Sequence, residues 1–284
     1  MPRKILEAKL KQLLAEDVGQ GDVTSAAVVP AGLTVEAAVV AKEAGVAAGI
    51  EVIVILAESL GLTVKSEVAD GEQIKNGQLL LKISGNAQTI LSAERTMLNL
   101  ISRMSGIATA TRRLAEKLRK ANSTAKIAAT RKTAPGLGYF DKKAVLVGGG
   151  DPHRLRLDDM ILVKDNHIAI AGSVEDAVKR AKQNASFSKK IEVEVTSVTD
   201  ALKAAEAGAD IIMLDNFSPK QIREAVKALK KAGFFGKVLL EVSGGITAEN
   251  LLEYASTQVD IISMGELTHS VKALDISLEI TKTK

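Results

Sequence analysis

The stretch IEVEVTSVTDALKAAEAGADIIMLD, residues 191–215, decides the fold. It opens on a short apolar run, 191–195, and closes on another, 210–214. Between them SVTDALKAAEAG starts with Ser197 and an acidic first turn, an N-cap signature, and stops at Gly208, which suits the position just past a helix. The segment therefore reads strand, helix, strand.

The same alternation recurs on both sides. Strand-like runs lie at 126–129, 160–163, 238–242 and 259–264. Helical segments between them, SVEDAVKRAKQN, SPKQIREAVKALKKAG and TAENLLEYAST, open on Ser or Thr, and one of them ends at Gly233. Strands alternating with helices make a parallel sheet, and this many repeats favour a closed α/β barrel over an open one. No G-x-G-x-x-G follows an early strand, as a dinucleotide fold would require.

The first half has a different character. Residues 4–15 carry Ile5, Leu6, Leu10, Leu13 and Leu14 at helical spacing. Residues 33–40 alternate like a strand, 46–60 read as a helix, and short strands follow with turns at Asp70-Gly71 and Asn76-Gly77. A long helical pattern covers 88–120, with Gly106 as its expected break.

Composition narrows the function. With 46% hydrophobic and 25% charged residues, the 284-residue chain is that of an ordinary globular protein, long enough for two domains. It has no cysteine, which excludes disulfides, thiolate metal sites and thiol catalysis. Residues 44–62 are the most apolar span, but Glu51 and Glu58 interrupt it, so no membrane helix is expected. The N-terminus lacks a signal-peptide pattern and a cytoplasmic enzyme is the expectation. A net charge of +4 suits anionic substrates, and no basic run points to nucleic acid.

The strand ends carry the chemistry. They are Arg131 and Lys132, Lys164, Glu194, Asp215 with Asn216, Ser243-Gly244-Gly245, and Gly265. In an α/β barrel these ends form one rim, where active sites lie. Arg131, Lys132, Arg154 and Lys164 suit phosphates or carboxylates. Lys142 and Lys143 read as a solvated loop. In IEVEV the glutamates Glu192 and Glu194 share a face opposite Ile191, Val193 and Val195, so they point inward. Buried carboxylates need a partner. Two readings stand side by side for Glu194 and Asp215: Mg²⁺, or a salt bridge to Lys132 or Lys164. The glycines near Ser243 and Gly265 expose backbone amides to an anion. The three histidines, His153, His167 and His269, lack zinc spacing, and His167 reads as a structural hydrogen-bonding residue.

Taken together, EDVGQGDVTS, AERTMLNLISRMSGIAT, TRKTAPGLG, KKAVLVGGGDPHRLRLDDMILVKDNHI, IEVEVTS, IIMLDNFSP, EVSGGIT and GELTHS resemble the quinolinate phosphoribosyltransferases, in family order from Glu16 to Ser270. The resemblance implies an α/β fold: an N-terminal α/β domain over 1–106, joined by the C-terminal segment 266–284, beside an incomplete TIM-like α/β barrel over 107–265. It implies transfer of the phosphoribosyl group of phosphoribosyl pyrophosphate (PRPP) to quinolinate with loss of CO₂, in NAD biosynthesis. It implies Mg²⁺ entering with PRPP at Glu194 and Asp215, no organic cofactor, and a homodimer with a shared active site. Arg131, Lys132, His153, Arg154 and Lys164 would then hold quinolinate and phosphates, and Arg95 would reach the neighbouring subunit's pocket. Glu194 and Asp215 would meet the ribose, and Ser243, Gly244, Gly265 and His269 would cradle the 5′-phosphate. The expected catalytic set is Lys132, Lys164, Glu194 and Asp215.

Three alternatives make different demands. A nicotinate phosphoribosyltransferase would bind one carboxylate and would not decarboxylate. An aldolase would use Lys164 as a Schiff base. A nucleic-acid binder would need a clustered surface patch.

Overall fold

The computed structural model describes residues 1–283. The chain forms two compact units: one of Met1–Ala110, Leu146–Gly148 and the chain from Val271, the other of Thr111–Val145 and Gly149–Ser270. The sequence expectation placed these boundaries at 106 and 266.

The first unit starts with α1 (Arg3–Val18) and α2 (Val23–Val28), the latter capped by Asp22, whose carboxylate accepts from the Ser25 amide at 2.9 Å. Strand β1 (Thr34–Ala41) buries every second residue, Val35, Ala37, Val39 and Ala41. The expected helix over 46–60 is shorter than its pattern. Residues 45–46 instead form β2 (Gly45–Val46), and α3 (Ile50–Ser59) begins only after Gly49, whose φ of 97° turns the chain. Strands β3 (Thr63–Ser66), β4 (Gln73–Ile74) and β5 (Leu79–Asn86) follow, with Gly71 and Gly77 at left-handed turn positions.

Helix α4 (Ala87–Lys120) runs unbroken for 34 residues, which corrects the expected break at Gly106. Gly106 is there for space: a Cβ on it would collide with the carbonyl of Lys272. Nearby on the same helix, Thr109 Oγ1 accepts from the Val46 amide at 2.8 Å and Ser105 Oγ from the Ala48 amide at 3.0 Å. Small and hydroxylated residues thus let neighbouring backbone approach and satisfy its buried amides.

The second unit is the alternating region: β6 (Lys126–Ala128), α5 (Gly138–Val147), β7 (Ile161–Val163), α6 (Asp165–Ala171), α7 (Val174–Asn184), β8 (Ile191–Val195), α8 (Val198–Ala207), β9 (Ile211–Asp215), α9 (Pro219–Ala232), β10 (Leu239–Ser243), α10 (Leu251–Ala255), β11 (Ile261–Ser263) and α11 (Glu266–His269). Six parallel strands run in the order β6-β11-β10-β9-β8-β7. No ladder joins β7 to β6 among the described residues, so the α/β barrel is incomplete. Ser173, Ser197 and Ser218 cap α7, α8 and α9, each accepting an amide three residues on. Val193, Val195, Ile212, Leu214, Leu240 and Val242 pack with Ala201, Ala204, Ile222 and Leu229 of the helices. Each large aliphatic side chain buried in this way contributes roughly 1.5–3 kcal/mol. The opposite sheet face carries Glu192, Glu194 and Glu241.

The chain then returns as β12 (Ile276–Thr283), antiparallel to β1, completing the first unit's sheet in the order β12-β1-β5-β3.

Candidate active site

Every polar strand end of the second unit lies at the carboxyl end of its parallel strand. Lys164 follows β7, Glu194 is the fourth residue of β8, and Asp215 and Ser243 end β9 and β10. Parallel pairing puts Asp215 beside Ser243. One rim collects them because all the strands point the same way.

Lys164 Nζ donates to Glu194 Oε2 at 2.7 Å. The salt bridge expected as one reading is therefore present, to Lys164. Asp215 is pushed above the usual carboxylate range by burial and by the Glu194 charge, against the pull of Asn216, Lys164 and Lys132. Glu194, Lys164 and Lys132 thus all act on Asp215. The donor set, two carboxylates with hard oxygens, fits Mg²⁺, although one Glu194 oxygen is engaged by Lys164.

The glycine loops hold the rim together. Asn216, at φ 55°, donates its amide to the Ser243 carbonyl at 2.8 Å and its side-chain amide to Asp215 Oδ2 at 2.7 Å. A Cβ on Gly244 would run into Asn216 Oδ1, so that loop accepts only glycine. A Cβ on Gly265 would sit 3.0 Å from the His269 ring and 3.2 Å from Lys132 Cδ, which shows how closely these three converge. The Thr268 hydroxyl donates to the Lys132 carbonyl at 2.8 Å.

The second cluster surrounds His153. Its ring nitrogen Nε2 lies 3.0 Å from Glu241 Oε2 and 3.3 Å from Glu192 Oε2, and both glutamates are fully buried. Burial pulls the imidazole down, but the flanking Glu192 and Glu241 carboxylates overcome it and push His153 up to about 10. Arg154 is also buried, which lowers it, as does the charge of Arg131. Arg131 itself is exposed. Arg156 faces outward, paired with Asp158 at 3.2 Å.

Lys142 corrects the sequence expectation of a solvated loop. It lies on α5, 2% exposed, and donates to the carbonyls of Pro152 and Arg154, the latter at 3.0 Å. Burial brings its ammonium down to about 8. Lys143 beside it is half-buried. The reason is helical: residues 138–147 form a helix buried on most of its sides, with Phe140, Asp141, Ala144 and Val145 buried as well as Lys142. His167 serves structure, as expected, with Nδ1 accepting from the Lys164 amide at 2.9 Å at the start of α6. Arg95 is exposed on α4, in the first unit.

Sequence reasoning misread Lys142 as solvated and passed over Glu241. Glu241 had a readable signal: LLEVS sets one glutamate among apolar residues on a buried strand, as IEVEV does.

Comparison with known proteins covers both halves. Residues 22–105 match the N-terminal domain and 107–279 the C-terminal domain of quinolinate phosphoribosyl transferase. A relative in Methanothermobacter thermautotrophicus, named "probable nicotinate-nucleotide pyrophosphorylase [carboxylating]", is 48% identical over 97% of this chain and 99% of its own. The human nicotinate-nucleotide pyrophosphorylase [carboxylating] is 41% identical over 86% of this chain and 82% of its own. The crystal structure of NadC from Streptococcus pyogenes superposes with a TM-score of 0.91 at 38% identity, covering 100% of this chain and 99% of that one. Agreement of motif order, architecture and both domain matches leads to one conclusion: the chain belongs to the quinolinate phosphoribosyl transferase family.

Proposed function

We infer that this protein transfers the phosphoribosyl group of PRPP to quinolinate, with decarboxylation, to give nicotinate mononucleotide, pyrophosphate and CO₂. The observation that carries the reading is the convergence of Lys132, Lys164, Glu194 and Asp215 at one rim of a parallel sheet, beside the cations Arg131, His153 and Arg154. Both substrates are multiply anionic, and bringing them together requires fixed cations.

Arg131, His153, Arg154 and Lys164 bind the two quinolinate carboxylates. The backbone around Ser243, Gly244 and Gly265, with His269, holds the 5′-phosphate. Attack by the quinolinate ring nitrogen forms the bond to C1′ as the C1′–oxygen bond to pyrophosphate breaks. Glu194 and Asp215 offset the positive charge that builds on the ribose, the electrostatic effect that supplies most of the rate enhancement in many active sites. Lys132 and Lys164 oppose the negative charge of the leaving pyrophosphate. The C2 carboxylate then departs as CO₂, its bonding pair stays on C2 as an ylide stabilised by the adjacent positive nitrogen, and C2 takes up a proton from solvent. Glu194 and Asp215 would hold the Mg²⁺ that enters with PRPP, and the ion would supply charge neutralisation of the pyrophosphate.

The protein acts in the cytoplasm as a homodimer, and the partner subunit's Arg95 completes the quinolinate pocket. Family resemblance supports this assembly, as does the exposure of Arg95. No helix among the described residues is long and apolar enough to cross a membrane. The aldolase alternative needs Lys164 as a free amine, and it is ion-paired with Glu194.

Incubation with quinolinate, PRPP and Mg²⁺, with nicotinate in parallel, tests the reading. Nicotinate mononucleotide and CO₂ from quinolinate, with little product from nicotinate, is the expected result. Product from nicotinate alone would overturn the substrate assignment.

A further inference from the structure

Glu192 and Glu241 come from β8 and β10, with β9 between them, and neither exposes any surface. Glu192 Oε1 and Oε2 and Glu241 Oε1 have no hydrogen-bond partner among the described residues. Two buried carboxylates with so little hydrogen bonding are costly unless a cation offsets them. The group that reaches both is His153 Nε2, at 3.0 and 3.3 Å.

The backbone at His153 is fixed with equal care. Its φ is 54°, a left-handed conformation that costs a side-chain-bearing residue about 1–2 kcal/mol. Three contacts hold it there. Asp151 Oδ1 accepts the His153 amide at 2.7 Å, and Lys142 Nζ bonds the carbonyls of Pro152 and Arg154, one on each side. A strained residue persists where its surroundings over-determine it, which marks a functional constraint.

We propose that Glu192 and Glu241 are positioning residues that hold His153 as a fixed imidazolium cation in the anion site and so set affinity for the dicarboxylate substrate. The proposal rests on the phosphoribosyltransferase reading. With Nε2–H committed to the carboxylates, Nδ1–H is the donor left for a substrate oxygen. The facing charges are Glu192 and Glu241 on the strands and Arg154, whose charge acts on Glu192, in the loop. Burial and the Glu241 charge push Glu192 up while His153 and Arg154 pull it down, so cations of the protein itself oppose the buried carboxylates. The same three ligand atoms lie within 4.8 Å of one another, so a bound cation is the competing account.

The test uses the full-length protein and the variants Glu241→Gln, Glu192→Gln and Glu241→Asp. Either Gln variant is expected to raise KM for quinolinate about tenfold or more, the scale of one hydrogen bond to a charged group, with kcat and the PRPP KM within about twofold. Glu241→Asp, which keeps the charge, is expected to recover part of the loss. Nitrogen-15 NMR of the wild type, with His153 assigned by His153→Gln, is expected to show both ring nitrogens protonated at about pH 8. A neutral His153 ring at that pH overturns the proposal even if every variant fails to fold. So does an unchanged quinolinate KM in both Gln variants. Stoichiometric binding of Zn²⁺ or Mn²⁺ that Glu241→Gln abolishes overturns it in favour of a cation site. The NMR result does not depend on turnover, so an enzyme inactive on quinolinate would sink the functional reading separately.

Discussion

Lys142 Nζ donates to the main-chain carbonyl of Arg154 at 3.0 Å, from a side chain that is 2% exposed. A helix therefore reaches across to the loop that carries two of the site's cations and holds its backbone in place.

Replacing Lys142 by Met keeps the length of the side chain and removes the donor. Two loop carbonyls then lose their partner, at a cost of about 1–3 kcal/mol for each that stays buried. Relief of the buried ammonium offsets part of this. We expect lower stability in urea titrations and a raised KM for quinolinate, with the PRPP KM nearly unchanged. Equal losses of affinity for both substrates would contradict a local role for Lys142.

Stability should respond to pH with opposite signs from two buried groups. His153, raised from 6.5 to about 10, contributes stability that is complete below 6.5 and lost as pH climbs through 10. Lys142, lowered from 10.5 to about 8, leaves the unfolded chain holding an extra proton between those values, so stability is gained there. Between 6.5 and 8 His153 lowers stability as pH rises, by up to about 1.4 kcal/mol per pH unit, and the raised Glu192 carboxyl acts in the same direction. Above 8 the two nearly cancel. Denaturant titrations across this range should show a decline followed by a plateau, and His153→Gln should remove the decline.

Glu194→Gln breaks the ion pair with Lys164 and removes the charge that helps raise Asp215. We expect kcat to fall by about 100-fold or more, the usual scale for a group that stabilises transition-state charge. Circular dichroism should be unchanged. Lys132→Ala is expected to behave alike. Wild-type turnover in either variant would remove that residue from the catalytic set.

Gly106→Ala sets two effects against each other. In a free helix alanine would gain about 1 kcal/mol over glycine. Here the new methyl meets the Lys272 carbonyl, and overpacking of this kind costs about 1–3 kcal/mol. The clash should win, and the melting temperature should fall. A higher melting temperature would mean that residues 272–273 yield easily.

Much of this was legible because its causes are local. Ser197 and Gly208 announce the two ends of α8 through capping chemistry acting within one turn. Lys132, Lys164, Glu194 and Asp215 were readable because strand ends in an alternating chain fall on one rim. Lys142 was not, since its burial depends on carbonyls ten and twelve residues away around a loop. Gly106 misled because a helical glycine weakens the local pattern whether it breaks the helix or admits another backbone. Glu241 fell outside the reading because its partner, His153, lies far off in sequence and meets it only when the sheet forms.

Strand β12 makes the first sheet wait for a stretch of chain synthesised long after the rest of that sheet. Its partner, β1, emerges from the ribosome more than two hundred residues earlier, as the pairing of Ala41 with Ile276 shows. Until then β1 presents an unpaired edge, the kind of surface that recruits other chains. The alternating unit, built from near neighbours along the chain, can be assembled while that edge still waits. A nascent chain truncated before Ile276 should therefore carry a finished second unit and a sticky first one, so the interval before β12 is made is when this protein is most prone to aggregate.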